Sequence, residues 1–280
     1  MRRDVHHEPI DDQHRRRRRD AQDEGGAVAV KRLVLATLLI ASPAFASTLD
    51  SIVAHGETLD YNLTWLRITG GSLRTTVGLV PNDPTRVRIT FIARSSSSFA
   101  FIFKVRDQIE SIVNRNDLST LRYEKHLNER GRIKDDTTII DERRRIATRR
   151  RPNHDTEEII VPKPVFDPLS LLYHLRELDL APGKTHRFAV FADGKIYTLE
   201  ANVTGRQRLE TPAGTFDTVI VEPKMQGGGV FRDEDATLTI WYTDDARHIP
   251  VRIRSEVKVG TITATLRAIH VGITTIEPPR

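Results

Sequence analysis

From residue 59 onward apolar side chains recur at every second position, a period that buries one face only as β-strand. Val251, Ile253, Val257 and Val259 alternate with Arg252, Arg254, Glu256 and Lys258. Beyond Gly260, Ile262, Ala264, Leu266 and Ala268 alternate with Thr261, Thr263, Thr265 and Arg267. Two such runs around a glycine spell a hairpin with one dry and one wet face. A second hairpin is expected at Phe191-Ala-Asp-Gly-Lys-Ile-Tyr197, because Asp-Gly suits a type I′ turn with positive φ at both central residues. Further strands are expected over 59–68, 72–80, 86–94, 105–114, 121–128, 133–141, 216–221 and 237–243. With no β-α-β alternation, the pattern predicts an all-β fold: a large curved antiparallel sheet or partly closed barrel.

One helix interrupts the strands, over about 167–178. Asp167 is its expected cap and Pro168 its first residue, and no breaker follows as far as Leu178. Leu169, Leu171, Leu172, Tyr173, Leu175 and Leu178 cover roughly 220° of its circumference, so it is expected to be buried on more than one side. Ser170, His174 and Glu177 share the remaining face, which is expected to be solvated. They do not make a persuasive triad, since a mid-helix serine has neither an exposed strained turn nor an oxyanion hole. A helix lying in a curved sheet can enclose an apolar pocket. The candidate lining is Phe99, Phe101 and Phe103, expected on one strand face, with Leu169, Leu172, Tyr173 and Trp241. Ordinary core packing is the competing explanation of the phenylalanines.

Compartment is read from residues 28–46. Lys31-Arg32, the apolar run 33–40 and Ser42-Pro-Ala-Phe-Ala46 are the three parts of a secretory signal peptide. The apolar run is shorter than the ~20 residues that span a bilayer. Residues 1–27 precede where such a signal starts and are expected to be a disordered or mis-assigned extension, with translation beginning at Val28 or Val30. The third segment, 47–280, is expected to be one β-rich domain. The chain has no cysteine, which excludes thiolate metal sites, disulfides and a lipid-anchoring cysteine. Nine of the 43 basic and seven of the 38 acidic residues fall in 1–46, so removal lowers the net charge from +5 to +3. That is too mild to argue for nucleic acid. No histidine pair has metal-binding spacing, and Gly227–229 lacks the Lys-Ser/Thr of a phosphate loop. Asp244-Asp245 are expected in a turn. Arg143-Arg144-Arg145 and Arg149-Arg150-Arg151 suit either a charged, protected sheet edge or contact with anionic headgroups.

The chain resembles a family of exported bacterial proteins, domain-of-unknown-function family 3108. The resemblance is carried by Phe99-Ala-Phe-Ile-Phe-Lys-Val-Arg-Asp-Gln-Ile-Glu, Leu121-Arg-Tyr-Glu-Lys-His and Asp167-Pro-Leu-Ser. It continues through Asp193-Gly-Lys, Thr211-Pro-Ala-Gly-Thr-Phe and Trp241-Tyr-Thr-Asp-Asp-Ala-Arg-His-Ile-Pro-Val. It implies a β-rich protein of a Gram-negative envelope and brings no catalytic residue and no cofactor. The expectation is a periplasmic, non-enzymatic protein that binds an apolar or lipid-like ligand. The alternative is an interaction protein of envelope biogenesis without a small-molecule ligand. N-terminal sequencing of the protein recovered after export is expected to begin at Ser47, and the uncleaved precursor is expected to begin at residue 28 or 30; a precursor peptide covering residues 4–24 would contradict the expected start.

Overall fold

The structure, a computed structural model, describes residues 48–101, 104–129, 131–226, 237–257 and 260–272. The extension expected at 1–27, the signal peptide expected at 28–46, Phe103 and Gly227–229 lie outside them. After a short helix α1 (Thr48–His55), eight strands run as an antiparallel meander. They are β1 (Glu57–Trp65), β2 (Ile68–Val80), β3 (Asp83–Ser95), β4 (Arg106–Asn114), β5 (Thr120–Glu129), β6 (Arg132–Asp141), β7 (Ile146–Arg150) and β8 (Glu157–Ile160). Helix α2 (Pro168–His174) follows, continued by a 3₁₀ turn over Leu175–Glu177. A second meander comprises β9 (Thr185–Ala192), β10 (Lys195–Thr211), β11 (Gly214–Gln226), β12 (Thr237–Thr243), β13 (Pro250–Val257) and β14 (Gly260–Val271). β14 pairs antiparallel with β1, so the two meanders form one sheet of 14 strands with β8 and β9 at its edges.

The sheet curls until those edges meet. Phe166 makes a parallel bridge to Val190: its N–H donates to Ala189 at 3.0 Å, and its carbonyl accepts from Phe191 at 2.7 Å. Ile140, Ala147, Val161, Val165 and Phe191 fill the seam. Curling of this kind satisfies edge groups that would otherwise invite another chain. The Asp193-Gly194 turn has the expected positive φ at both positions, 50° and 80°. β7 and β8 were not expected, because their sequences, Ile-Ala-Thr-Arg-Arg and Glu-Glu-Ile-Ile, carry too few apolar positions to show period two.

Helix α2 lies between the meanders. Leu171 and Leu175 pack into a cluster with Val190, Val203, Val221 and Ile240 of β9–β12. Leu169 and Tyr173 pack into a second cluster with Val77, Val87, Ile89 and Val113 of β2–β4 and with Ile52 and Val53 of α1. Both ends of the helix are pinned by polar groups taken out of water. At the start, one oxygen of Asp167 accepts from the N–H groups of Leu169 and Ser170 at 2.8 and 3.0 Å, and the other accepts from the hydroxyls of Ser111 and Thr120. Ser170 and Thr120 in turn accept from the Asp167 N–H. The cap therefore ties the helix start to β4 and β5. Of the face expected to be solvated, Ser170 is instead fully buried and reciprocates the cap, while His174 and Glu177 are half-buried.

At the other end Arg176, 2 % exposed, makes a two-pronged ion pair with Glu57 at 2.6 and 3.0 Å and donates to the Arg247 carbonyl at 3.1 Å. Its guanidinium lies 5.3 Å from the Tyr173 ring centre. In between, the Tyr173 hydroxyl donates to Thr75 and the Tyr242 hydroxyl donates to the Leu172 carbonyl, each at 3.0 Å.

Arg176→Met, which strands the Glu57 carboxylate, is expected to cost about 3–5 kcal/mol in urea unfolding. Adding Glu57→Met recovers most of that, since a buried pair replaced as a whole is near neutral; a double variant no more stable than the single one would contradict the pairing. Burial raises the Asp167 carboxyl above 3.8, against the lowering effect of its hydrogen bonds. The folded state therefore holds this proton more tightly, and stability gained at Asp167 grows as pH falls from the raised value toward 3.8. Asp167→Ala is expected to lose about 1–2 kcal/mol at neutral pH and Asp167→Asn less, with the Asn variant losing ground to wild type on acidification through that window. Unfolding curves against pH check both.

Candidate functional site

The space beside α2 is not completely filled. A cavity of about 220 Å³ lies against Leu169, Leu171, Leu172 and Leu175 of the helix segment, with Pro168 at its start. Phe91, Ile109 and Tyr123 wall it from one meander; Val190, Leu199, Pro223, Met225, Leu238, Ile240 and Ile253 wall it from the other. Every lining side chain is apolar apart from the Tyr123 hydroxyl. The alternation within strands builds this wall: Ile240 on β12 and Ile253 on β13 are register partners, as are Leu199 on β10 and Met225 on β11.

Ile109, Tyr123 and Pro168 also border a larger recess of about 1040 Å³. This one is charged, with Lys125, Asp136, Arg149 and Asp193 on its walls. Its charges are largely paired. Arg149 donates from two nitrogens to Asp136, at 2.6 Å for the shortest contact, and from a third to Glu157 at 3.3 Å. Lys125 bridges Asp193 and Asp136. The site thus changes from apolar beside the helix to ionic outside it.

On the far side of the helix, His174 lies 4.5 Å from Phe166 and edge-on to Phe188 at 5.7 Å. Burial holds its imidazole below the ordinary 6.5 against the raising effect of Asp117, so it stays neutral as an aromatic packing element. The Ser170 hydroxyl is engaged by Asp167 and Thr120. Ser170 and His174 therefore belong to two separate environments.

Of the residues proposed from sequence to line a pocket, Leu169 and Leu172 do so. Tyr173 belongs to the packed cluster with β2–β4 instead. Trp241 points to the opposite face of β12, because its neighbours Ile240 and Tyr242 face the helix; its indole N–H donates to Gln207 at 2.8 Å under the Arg252 guanidinium. Phe99 and Phe101 share no strand face. The chain turns at 97–101, where the N–H groups of Phe99 and Ala100 go to the Ser96 carbonyl and are lost to any ladder. Phe99 packs edge-on to Trp65 at 5.9 Å, over Gly70, where a Cβ would meet its ring at 2.7 Å. Phe101 is 96 % exposed. Phe103 lies outside the described residues.

The two arginine triplets are separated. Arg143, Arg144 and Arg145 occupy the β6–β7 turn and are exposed, whereas Arg149 is buried in its ion pairs and is no surface contact. Arg150 is exposed on β7, and Arg151 pairs with Glu157. β8 is the edge strand, and β7, which carries Arg149 and Arg150, lies one strand in from it. Asp244 and Asp245 sit in the β12–β13 turn, paired with Arg206 and Arg247.

The lining residues missed in sequence include Phe91, Ile109, Leu238 and Ile253, which lie in expected strands that do not reveal an adjoining void, and Met225, which lies beyond the strand expected at 216–221. Arg176 was also missed; its mark was an arginine inside the most apolar turn of the chain.

No curated protein matches this chain by sequence. Among solved structures, it is similar to a β-barrel-like protein of the domain-of-unknown-function family DUF1849 from Brucella abortus, at 9% identity and TM-score 0.53, covering 78% of this chain and 98% of that one. A candidate lipoprotein from Parabacteroides distasonis aligns over 77% of this chain and 95% of its own at 12% identity and TM-score 0.31. A candidate exported protein with a YmcC-like fold from Bacteroides fragilis aligns over 77% and 96% at 11% identity and TM-score 0.30. The first of these likenesses supports the curled all-β architecture. Among the described residues no helix is long and apolar enough to cross a membrane. By sequence, residues 58–267 match the family model described as Protein of unknown function (DUF3108), and the chain belongs to that family.

Proposed function

We propose that this protein is an exported, non-enzymatic envelope protein that holds one aliphatic chain of a lipid-like ligand in the cavity beside helix α2. The observation that carries the reading is the lining: fifteen residues from both meanders and the helix line about 220 Å³ with hardly a polar atom among them. A dry apolar cavity of about 150 Å³ is already enough to bind benzene. Drug-sized ligands occupy roughly 300–1,000 Å³. The volume therefore suits a single acyl segment rather than a fused-ring or two-chain lipid. The neighbouring charged recess, bordered by the same Ile109, Tyr123 and Pro168, gives a polar headgroup a place to lie. The signal at 28–46 supports export, and the commitment of Ser170 to the helix cap weighs against a hydrolase.

A second reading, an interaction protein of envelope biogenesis, is favoured by the pinning of α2 at both ends. A helix tied down by Asp167 and Arg176 is a fixed wall and does not gate entry, so access to the cavity must come through the recess.

Native mass spectrometry of the protein recovered from a Gram-negative periplasm, followed by lipid extraction, tests the choice. A stoichiometric single-chain amphiphile is expected, and Leu172→Trp, which fills the cavity, is expected to remove it without unfolding the protein. A clean apo mass from the wild type would contradict the carrier reading.

A further inference from the structure

The β1–β2 turn is built on the two residues Leu66 and Arg67, both with positive φ (48° and 70°). Turns of this kind favour Asn-Gly, since a bulky L-residue is strained there. Leu66 nonetheless keeps its side chain 55% exposed. Its neighbours do the same. Ile68 is 60% exposed and Ile262 43%, and both are register partners of Trp65. Phe101 is 96% exposed two residues beyond Phe99, whose ring packs on Trp65. Three exposed apolar side chains thus flank Trp65 along the chain or across the ladder, and Phe101 follows the phenylalanine that packs on it.

Their own segments carry only basic charge, and Glu256, opposite Thr261 on β13, is paired with Arg254. Segments 65–72, 95–106 and 260–265 contain no acidic residue. Arg67, Lys104 and Arg106 are exposed and, among the described residues, make no ion pair. The patch is also at the cavity's end of the sheet. Trp65 pairs with Ile262, Val257 with Gly260, and Glu256 with Thr237, so the β1–β2 turn shares an end with the start of β12, where Leu238 lines the cavity.

We infer that this patch docks the protein on an anionic bilayer surface, with Leu66, Ile68, Phe101 and Ile262 entering the boundary between headgroups and acyl chains and Arg67, Lys104 and Arg106 facing the phosphates. Exposed apolar residues ringed by unpaired cations are the combination that such a surface binds, through apolar burial together with attraction to anionic lipid. A neutral protein partner would leave the cations uncompensated. Docking at this end would also set the mouth of the cavity toward the source of an acyl chain, but the inference stands on the patch alone.

Flotation of delipidated protein with vesicles of phosphatidylethanolamine and phosphatidylglycerol tests it, and its failure leaves the carrier reading to its own lipid-extraction test. Wild type is expected to float with these vesicles and to be released by salt, and to float poorly with phosphatidylcholine alone. Leu66→Asn with Phe101→Ser is expected to lower partitioning about ten-fold or more with melting unchanged. Ile160→Ser, at a side chain 79% exposed on the β8 edge, is expected to leave it as it was. A wild type that stays out of the vesicle fraction, or an equal loss from Ile160→Ser, would overturn the inference and leave a protein as the partner of this patch.

Discussion

The ion pair between Arg176 and Glu57 decides where helix α2 can lie, and the interior follows from that position. Two charges this deep cost several kcal/mol each to remove from water, and only a close, two-pronged contact with further hydrogen bonds offsets that cost. Glu57 opens β1, the strand that joins the two meanders through its pairing with β14, so the pair ties the end of the helix to the middle of the sheet. The Asp167 knot ties its beginning to β4 and β5. Between these points the helix has one seating, with Leu169 and Tyr173 toward one meander and Leu171 and Leu175 toward the other.

A wall fixed in this way explains why a void can persist next to it. Core side chains ordinarily relax toward close packing, and a void costs stability in proportion to its volume. Here α2 cannot move toward Ile240 and Met225 without lengthening the Arg176–Glu57 contact or breaking the Tyr242 hydrogen bond to the Leu172 carbonyl. Polar anchoring at the rim of the cavity thereby keeps apolar surface available inside it. The same anchoring makes the helix unsuited to act as a lid.

Much of this was legible in the sequence. Period two gave most of the strands, Asp193-Gly194 gave a turn with positive φ at both positions, and Asp167-Pro168 gave the helix start. What was not legible has physical causes. Ser170 reads as solvated because helical periodicity reports which face a residue is on, and cannot report that its hydroxyl closes on the backbone of the buried capping residue Asp167. Phe99 and Phe101 read as strand because alternation is blind to Ser96, whose carbonyl takes the N–H groups a ladder would need. Trp241 is expected in the pocket, whereas its place between Ile240 and Tyr242 turns it to the other face of β12. The cavity lining is the hardest case: a residue facing a void and one facing a neighbour carry the same pattern, and only the three-dimensional position of Leu172 separates them.

The most direct measurement is a crystal structure of the protein with a medium-chain fatty acid brominated at its terminal carbon, read by the anomalous signal of bromine. A peak between Leu172, Met225 and Ile240, with the carboxylate toward the charged recess, is the expected result. A cavity that stays without bromine at saturating ligand, with the helix still held by Arg176 and Glu57, would contradict the view that this space exists to hold an acyl chain.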